Sequence, residues 1–239
     1  MILAIETATT VASTALMHQG KLLGEFFLNT TKNHSQALMP LVDSLLNYAG
    51  VGIRDIAGFG VAIGPGSFTG LRIGLATVKG MAMTLDKPLF GIPTLDALAM
   101  NVEPEGLICP VMDARKNEVY AAIYQTADGS GRLTDKRLTD YLVEQPAALV
   151  QRLAKYGQKV TLVGDAVDRY PEEFDQHFIQ LTGQANRWPR AAQVAVLTYH
   201  RFLTGGADDL FALSPLYIRR SEAEVRWEER KNSEDGCHG

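Results

Sequence analysis

Gly64-Pro65-Gly66-Ser67-Phe68-Thr69-Gly70-Leu71-Arg72-Ile73-Gly74 is the stretch on which this 239-residue chain turns. The residues before it, Ile56 to Ile63, read as a buried strand. Those after it, to about Leu85, read as a helix with Ser67 as N-cap. Gly64 and Gly66 can take φ > 0, and Pro65 fixes its own φ and restricts Gly64. A glycine-rich strand-to-helix turn presents backbone N–H groups at a positive helix end, which suits anions. Two phosphate motifs fail on spacing. The P-loop would put glycine at Thr69, and no Lys follows Gly70; the dinucleotide fingerprint also needs glycine at Thr69. On residue physics alone, an anion cradle and a tight structural turn stay open.

The composition is that of a globular protein, 46% apolar and 21% charged, long enough for one large domain or two small ones. The formal net charge is −4. Proteins that grip RNA alone carry a basic face, so any RNA contact is expected to come mainly through a partner. Cys109 and Cys237 form no metal or disulfide framework, which predicts a reducing, cytoplasmic setting, with Cys109 in the core. No signal peptide or membrane-length apolar run is read.

Working outward, Ile2 to Ala8, Val11 to His18 and Leu22 to Leu28 read as a meander with a turn at Gln19-Gly20. A helix follows over Ser35–Ala49, with Pro40 expected near its first turn. The strand and helix around the glycine loop complete a β-β-β-α-β-α order. A similar order recurs: strands at Leu107–Met112, Glu118–Tyr124 and Leu133–Val143, a turn at Asp128–Gly131, a helix at Pro146–Tyr156, a strand at Val160–Val163 and a helix at Ala191–Leu203. An acid closes the first strand of each half, Glu6 and Asp113. These features predict a duplication with a cleft between halves. The expected divisions are 1–105, 106–215 and a charged tail, 216–239, in which Trp227 is an apolar anchor.

The glycine loop, Ile2 to Thr9, His34-Ser35, Asp113-Ala114-Arg115 with Glu118-Val119-Tyr120, and Pro215 to Arg219 together resemble the bacterial TsaB family. The resemblance implies an actin-like (ribonuclease H-like) α/β fold of two βββαβα domains. It further implies a non-catalytic subunit that works with a catalytic relative, TsaD, and an ATPase, TsaE. Together they make threonylcarbamoyladenosine beside the tRNA anticodon, with tRNA met only through the complex. Self-association is expected when the chain is alone.

No catalytic or metal residues are expected. None of the five histidines pairs at i, i+4, so the family's metal chemistry is not carried over. Glu6, Thr7, Gly64, Gly66, Ser67, Asp113 and Arg115 form the candidate vestigial nucleotide site. Glu6-Thr7-Ala8 and Asp113-Ala114-Arg115 both lack the glycine that lets backbone amides approach phosphates. Arg115 could meet a phosphate or pair with Asp113 or Glu118. No cofactor is expected in the chain itself, ATP or ADP at the partner junction being left open.

The helix after the glycine loop is apolar around most of its circumference, so it must be covered on two sides. Burial by the chain's own elements and burial by a partner compete. The resemblance favours a partner interface at Leu38, Leu41, Val42, Leu45, Leu71, Leu75, Val78 and Ala82, on two helices long enough for about 800 Å² per partner. The rival function is an autonomous enzyme, an actin-like-fold phosphotransferase or a glycoprotease-type peptidase.

Overall fold

The computed structural model describes residues 1–29, 33–102, 106–125 and 137–219. The expected turn at 128–131, the first four positions of the strand expected over 133–143, and the tail with Trp227 lie outside the described residues. Of the rest of that strand, residues 138–141 are not extended in a sheet, and the strand proper is only Leu142–Glu144.

The first half opens with strands β1 (Ile2–Glu6), β2 (Val11–His18) and β3 (Lys21–Asn29) in an antiparallel meander. Gln19 and Gly20 turn β2 into β3 with φ of 50° and 77°, the twist a two-residue hairpin needs. Helix α1 (His34–Ala49), strand β4 (Gly58–Gly64), helix α2 (Phe68–Leu85), strand β5 (Leu89–Pro93) and helix α3 (Thr94–Ala99) follow. The sheet order is β3-β2-β1-β4-β5, with β4 parallel to both β1 and β5.

The second half contains β6 (Leu107–Arg115), β7 (Glu118–Ala121), β8 (Tyr124–Gln125), β9 (Leu142–Glu144), α4 (Pro146–Ala154), β10 (Val160–Val163), α5 (Ala166–Arg169), α6 (Pro171–Phe174), β11 (Ile179–Leu181) and α7 (Ala191–Thr204). Its order is β11-β10-β6-β7-β9. Read from the other end, this is the first sheet again. On one side of the central strand each strand pairs antiparallel with its neighbour, and on the other side the two strands run parallel to it. The duplication is therefore structural, and the architecture is α/β and actin-like.

Each half lends its last helix to the other. Helix α7 covers one face of the first sheet, where Val194, Ala195 and Leu197 pack on Ile2, Ala4, Met17 and Phe90. Leu95, Leu98 and Ala99 of α3 pack on Ile108, Met112 and Val163 of the second sheet. Helices α1 and α2 cover the remaining face of the first sheet around Leu3, Ile5, Phe59 and Val61. The central strands are thus covered on both faces, which is why they read as unbroken apolar runs. Cys109 is fully buried on β6, and burial pushes its thiol far up, leaving an unreactive core residue.

One boundary differs from expectation. Helix α1 begins at His34 and passes straight through Pro40. Pro40 leaves the Gln36 carbonyl without its i+4 donor, but both residues are exposed. Water can satisfy that carbonyl, so the helix tolerates the proline.

Candidate functional site

The glycine loop closes on the protein itself. The Ser67 N–H donates to the Ala8 carbonyl (2.6 Å), and the Gly64 N–H donates to Thr94 Oγ1 (3.1 Å). Ser67 Oγ caps α2 by accepting from the Gly70 N–H (3.3 Å). Thr7 Oγ1 donates to the Gly70 carbonyl (2.9 Å). Three loop and first-turn amides that a phosphate cradle would present are spent internally. Gly64 sits at φ +117°, where a side chain would also meet the Leu216 carbonyl at 2.8 Å. Of the two readings of this loop, the tight structural turn is the one its hydrogen bonds describe: it docks α2 on the chain just after β1.

Glu6 ends β1 wholly buried. Its Oε1 accepts from the Ala8 N–H, and its Oε2 has no partner among the described residues. Burial raises its pKa from 4.5 to about 7, against the lowering effect of the Ala8 and Thr7 amides. The folded state therefore holds a proton that the unfolded chain releases above pH 4.5. Stability should fall as pH rises from about 4.5 to about 7 and level off above, by on the order of 3 kcal/mol. Asp165, raised to about 6 chiefly by burial, adds the same sign over a lower window. Glu6→Gln keeps the acceptor for Ala8 and removes the titration. Urea unfolding at pH 5 and pH 8 should show a smaller difference in the variant and a more stable variant at pH 8. An unchanged pH difference would refute the assignment.

Asp113 sits near the end of β6, half-buried. Its carboxylate accepts from the Arg115 N–H (2.9 Å) and from the Tyr170 hydroxyl (3.3 Å), and pairs with Arg169 Nε (3.3 Å). Its own N–H donates to Asp165 Oδ1 (3.1 Å). Glu118 pairs with Arg219 (2.9 Å). Both carboxylates expected as partners of Arg115 are therefore taken by other arginines. The Arg115 side chain is exposed and forms no ion pair among the described residues. Among the described residues, no group of three or more His, Cys, Asp or Glu side chains is placed to hold a metal ion.

The partner face needs a correction. Leu38, Val42, Leu45, Leu71, Leu75, Val78 and Ala82 are at most 6% exposed and lie in this chain's own core; only Leu41 is half-buried. The most regular apolar stripe marks the face turned to the chain's own sheet. The outward face of α2 carries Arg72, Ala76, Gly80 and Met83, and that of α1 carries Met39 and Pro40. Sequence periodicity missed this face because its residues are small or mixed. Gly80 stands apart from the other glycines of the helix. Gly70 and Gly74 are required internally: an added Cβ would lie 2.1 Å from the Thr7 carbonyl oxygen and 2.3 Å from Thr7 Oγ1, respectively. At Gly80 a Cβ would meet nothing within 4 Å.

A cavity of about 850 Å³ opens between the lobes, lined by Asn101, Lys159, Thr161, Gln180, Thr182 and Gln193 among others. It includes neither Glu6, Asp113 nor the glycine loop. No described helix is long and apolar enough to cross a membrane.

Fold and site together define an actin-like-fold protein whose glycine loop is closed upon itself. The family model for TsaD, tRNA N6-adenosine threonylcarbamoyltransferase, matches residues 21–227. The tRNA threonylcarbamoyladenosine biosynthesis protein TsaB of Bacillus subtilis is 33% identical over 232 residues, covering 95% of this chain and 97% of that protein. Its namesake from Escherichia coli is 28% identical over 228 residues, covering 93% and 96%. The crystal structure of YeaZ from Pseudomonas aeruginosa superposes with a TM-score of 0.74 at 25% identity, covering 91% of this chain and 99% of that one. The chain belongs to the TsaB family.

Proposed function

We propose that this chain is a non-catalytic scaffold that pairs with a TsaD-type catalytic subunit and works with a TsaE-type ATPase. In that role it enables threonylcarbamoyl transfer from threonylcarbamoyl-AMP to the tRNA adenosine beside the anticodon. The curated relatives are named for this biosynthesis. The observation that carries the pairing is the outward face of α2. Gly80 lowers helix propensity by about 1 kcal/mol relative to Ala, and among the described residues nothing packs close enough to ask for it. With Ala76 and Met83 beside it, the face is flat and weakly polar, which suits close approach by another helix. The first lobe thus serves the partner, and the same face serves a second copy when the partner is missing. The spent loop amides favour a scaffold over a phosphotransferase. Size-exclusion chromatography with light scattering should show a stable complex with the TsaD-type subunit. Elution of the two proteins apart, with ATP turnover by this chain alone that Asp113→Asn abolishes, would favour the autonomous enzyme.

A further inference from the structure

The segment 216–219 ties the two halves together. The Leu216 N–H donates to the Ile63 carbonyl (2.7 Å), beside the glycine loop. Tyr217 stacks on Phe68 with ring centroids 5.2 Å apart, and Arg72 Nε donates to its hydroxyl (3.1 Å). Two residues on, Arg219 donates to the Ala114 carbonyl (3.4 Å) and pairs with Glu118 on the β6–β7 hairpin. These contacts join the start of α2, residues 216–219 and that hairpin.

Arg72, Arg115, Arg169 and Arg219 gather there, on a chain with net charge −4. Arg169 and Arg219 are paired with Asp113 and Glu118. Arg72 lies over the Phe68 ring, 3.7 Å from its centroid, while Arg115 has no carboxylate partner among the described residues. Phe68 and Tyr217 are 41% and 38% exposed, a stacked aromatic pair among these cations. The hairpin holds Arg115 in an uncommon way. Arg115, Lys116 and Asn117 take φ of 60°, 53° and 59° in succession, and all three are exposed. Left-handed backbone without glycine is disfavoured by about 1–2 kcal/mol per residue, and such strain gathers at functional positions.

We propose that this rim is the chain's own contact with RNA, Arg115 and its neighbouring arginines meeting phosphates and the Tyr217 ring, backed by Phe68, stacking an unpaired base. Phosphate contacts supply most of the affinity in such interfaces, and aromatic stacking is sequence-tolerant. Bases in a loop are available to stack, whereas those in an A-form duplex are not. The inference rests on the reading that the chain works on tRNA. It goes beyond that reading by having this subunit, as well as its partner, touch the RNA.

The test uses the full chain assembled with its TsaD-type subunit. Fluorescence anisotropy reads binding of a labelled tRNA anticodon stem-loop transcript across a salt series. Arg115→Glu should weaken binding about tenfold and reduce the salt slope by about 1, while Arg115→Lys retains both. Tyr217→Ala should also weaken binding about tenfold. Light scattering should show every complex intact. Unchanged affinity and slope in Arg115→Glu, with wild-type assembly and transfer intact, would overturn the rim and leave the scaffold reading standing. Separation of the subunits by Arg115→Glu would make the rim a protein interface and overturn it as well. Failure of the wild-type pair to assemble would remove both.

Discussion

Gly70→Ala should destabilise the chain by about 3–5 kcal/mol, whereas Gly80→Ala, on the same helix, should stabilise it by about 0.5–1 kcal/mol. At Gly70 the new methyl would lie 2.1 Å from the Thr7 carbonyl oxygen. That oxygen is backbone, fixed just beyond the central strand of the first sheet, so the helix itself must move. Moving it disturbs the Thr7–Gly70 hydrogen bond, the Ser67 cap and the packing of Leu71. At Gly80 the methyl meets no atom of the described residues within 4 Å, and helix propensity decides the sign. For a chain of this size each kcal/mol shifts Tm by roughly 2–4 °C, so the two variants should separate by roughly 7–24 °C. Thermal unfolding of the two purified variants checks this. Equal shifts of the same sign would mean that α2 is not seated as described.

Gly80→Arg should leave the chain folded but lower its affinity for the TsaD-type subunit by a hundredfold or more. The position is exposed and open, so the side chain costs the monomer little. At a helix–helix contact the same side chain holds the axes apart and brings an unpaired charge into an apolar interface. Met83→Glu, at a side chain 61% exposed, should act in the same direction without a change in backbone freedom. Val78 is a poor probe of pairing: it is fully buried, and a charge there would unfold the first lobe rather than dissociate a complex. Light scattering with circular dichroism separates the two cases. A folded Gly80→Arg chain that still pairs with wild-type affinity would place the partner elsewhere.

What could be read from the residues alone follows from how local each feature is. Helix α2 was legible because its cap, Ser67, and its stripe, Leu71, Leu75, Val78 and Ala82, are set by neighbours in sequence. The direction that stripe faces was not, since a core stripe and an interface stripe have the same period. Pro40 misled about the start of α1 because tolerance of a proline depends on exposure of the Gln36 carbonyl, a tertiary fact. The duplicated order of elements was visible in outline. Strands β5 and β11 were not anticipated, one holding Gly91 and Pro93 and the other only three residues long. The exchange of α3 and α7 between lobes leaves no local trace. At the candidate site, the missing glycines after Glu6 and Asp113 were plain. That Ser67 and Gly64 spend their amides on Ala8 and Thr94 required the fold.

Reconstituted transfer onto unmodified tRNA tests the scaffold most directly. The TsaD-type subunit, the TsaE-type ATPase, ATP and threonylcarbamoyl-AMP are combined with wild-type chain, with Gly80→Arg chain, or with neither. Modified adenosine should form with the wild-type chain and fall to background with the other two. Equal modification in all three mixtures would contradict the scaffold role.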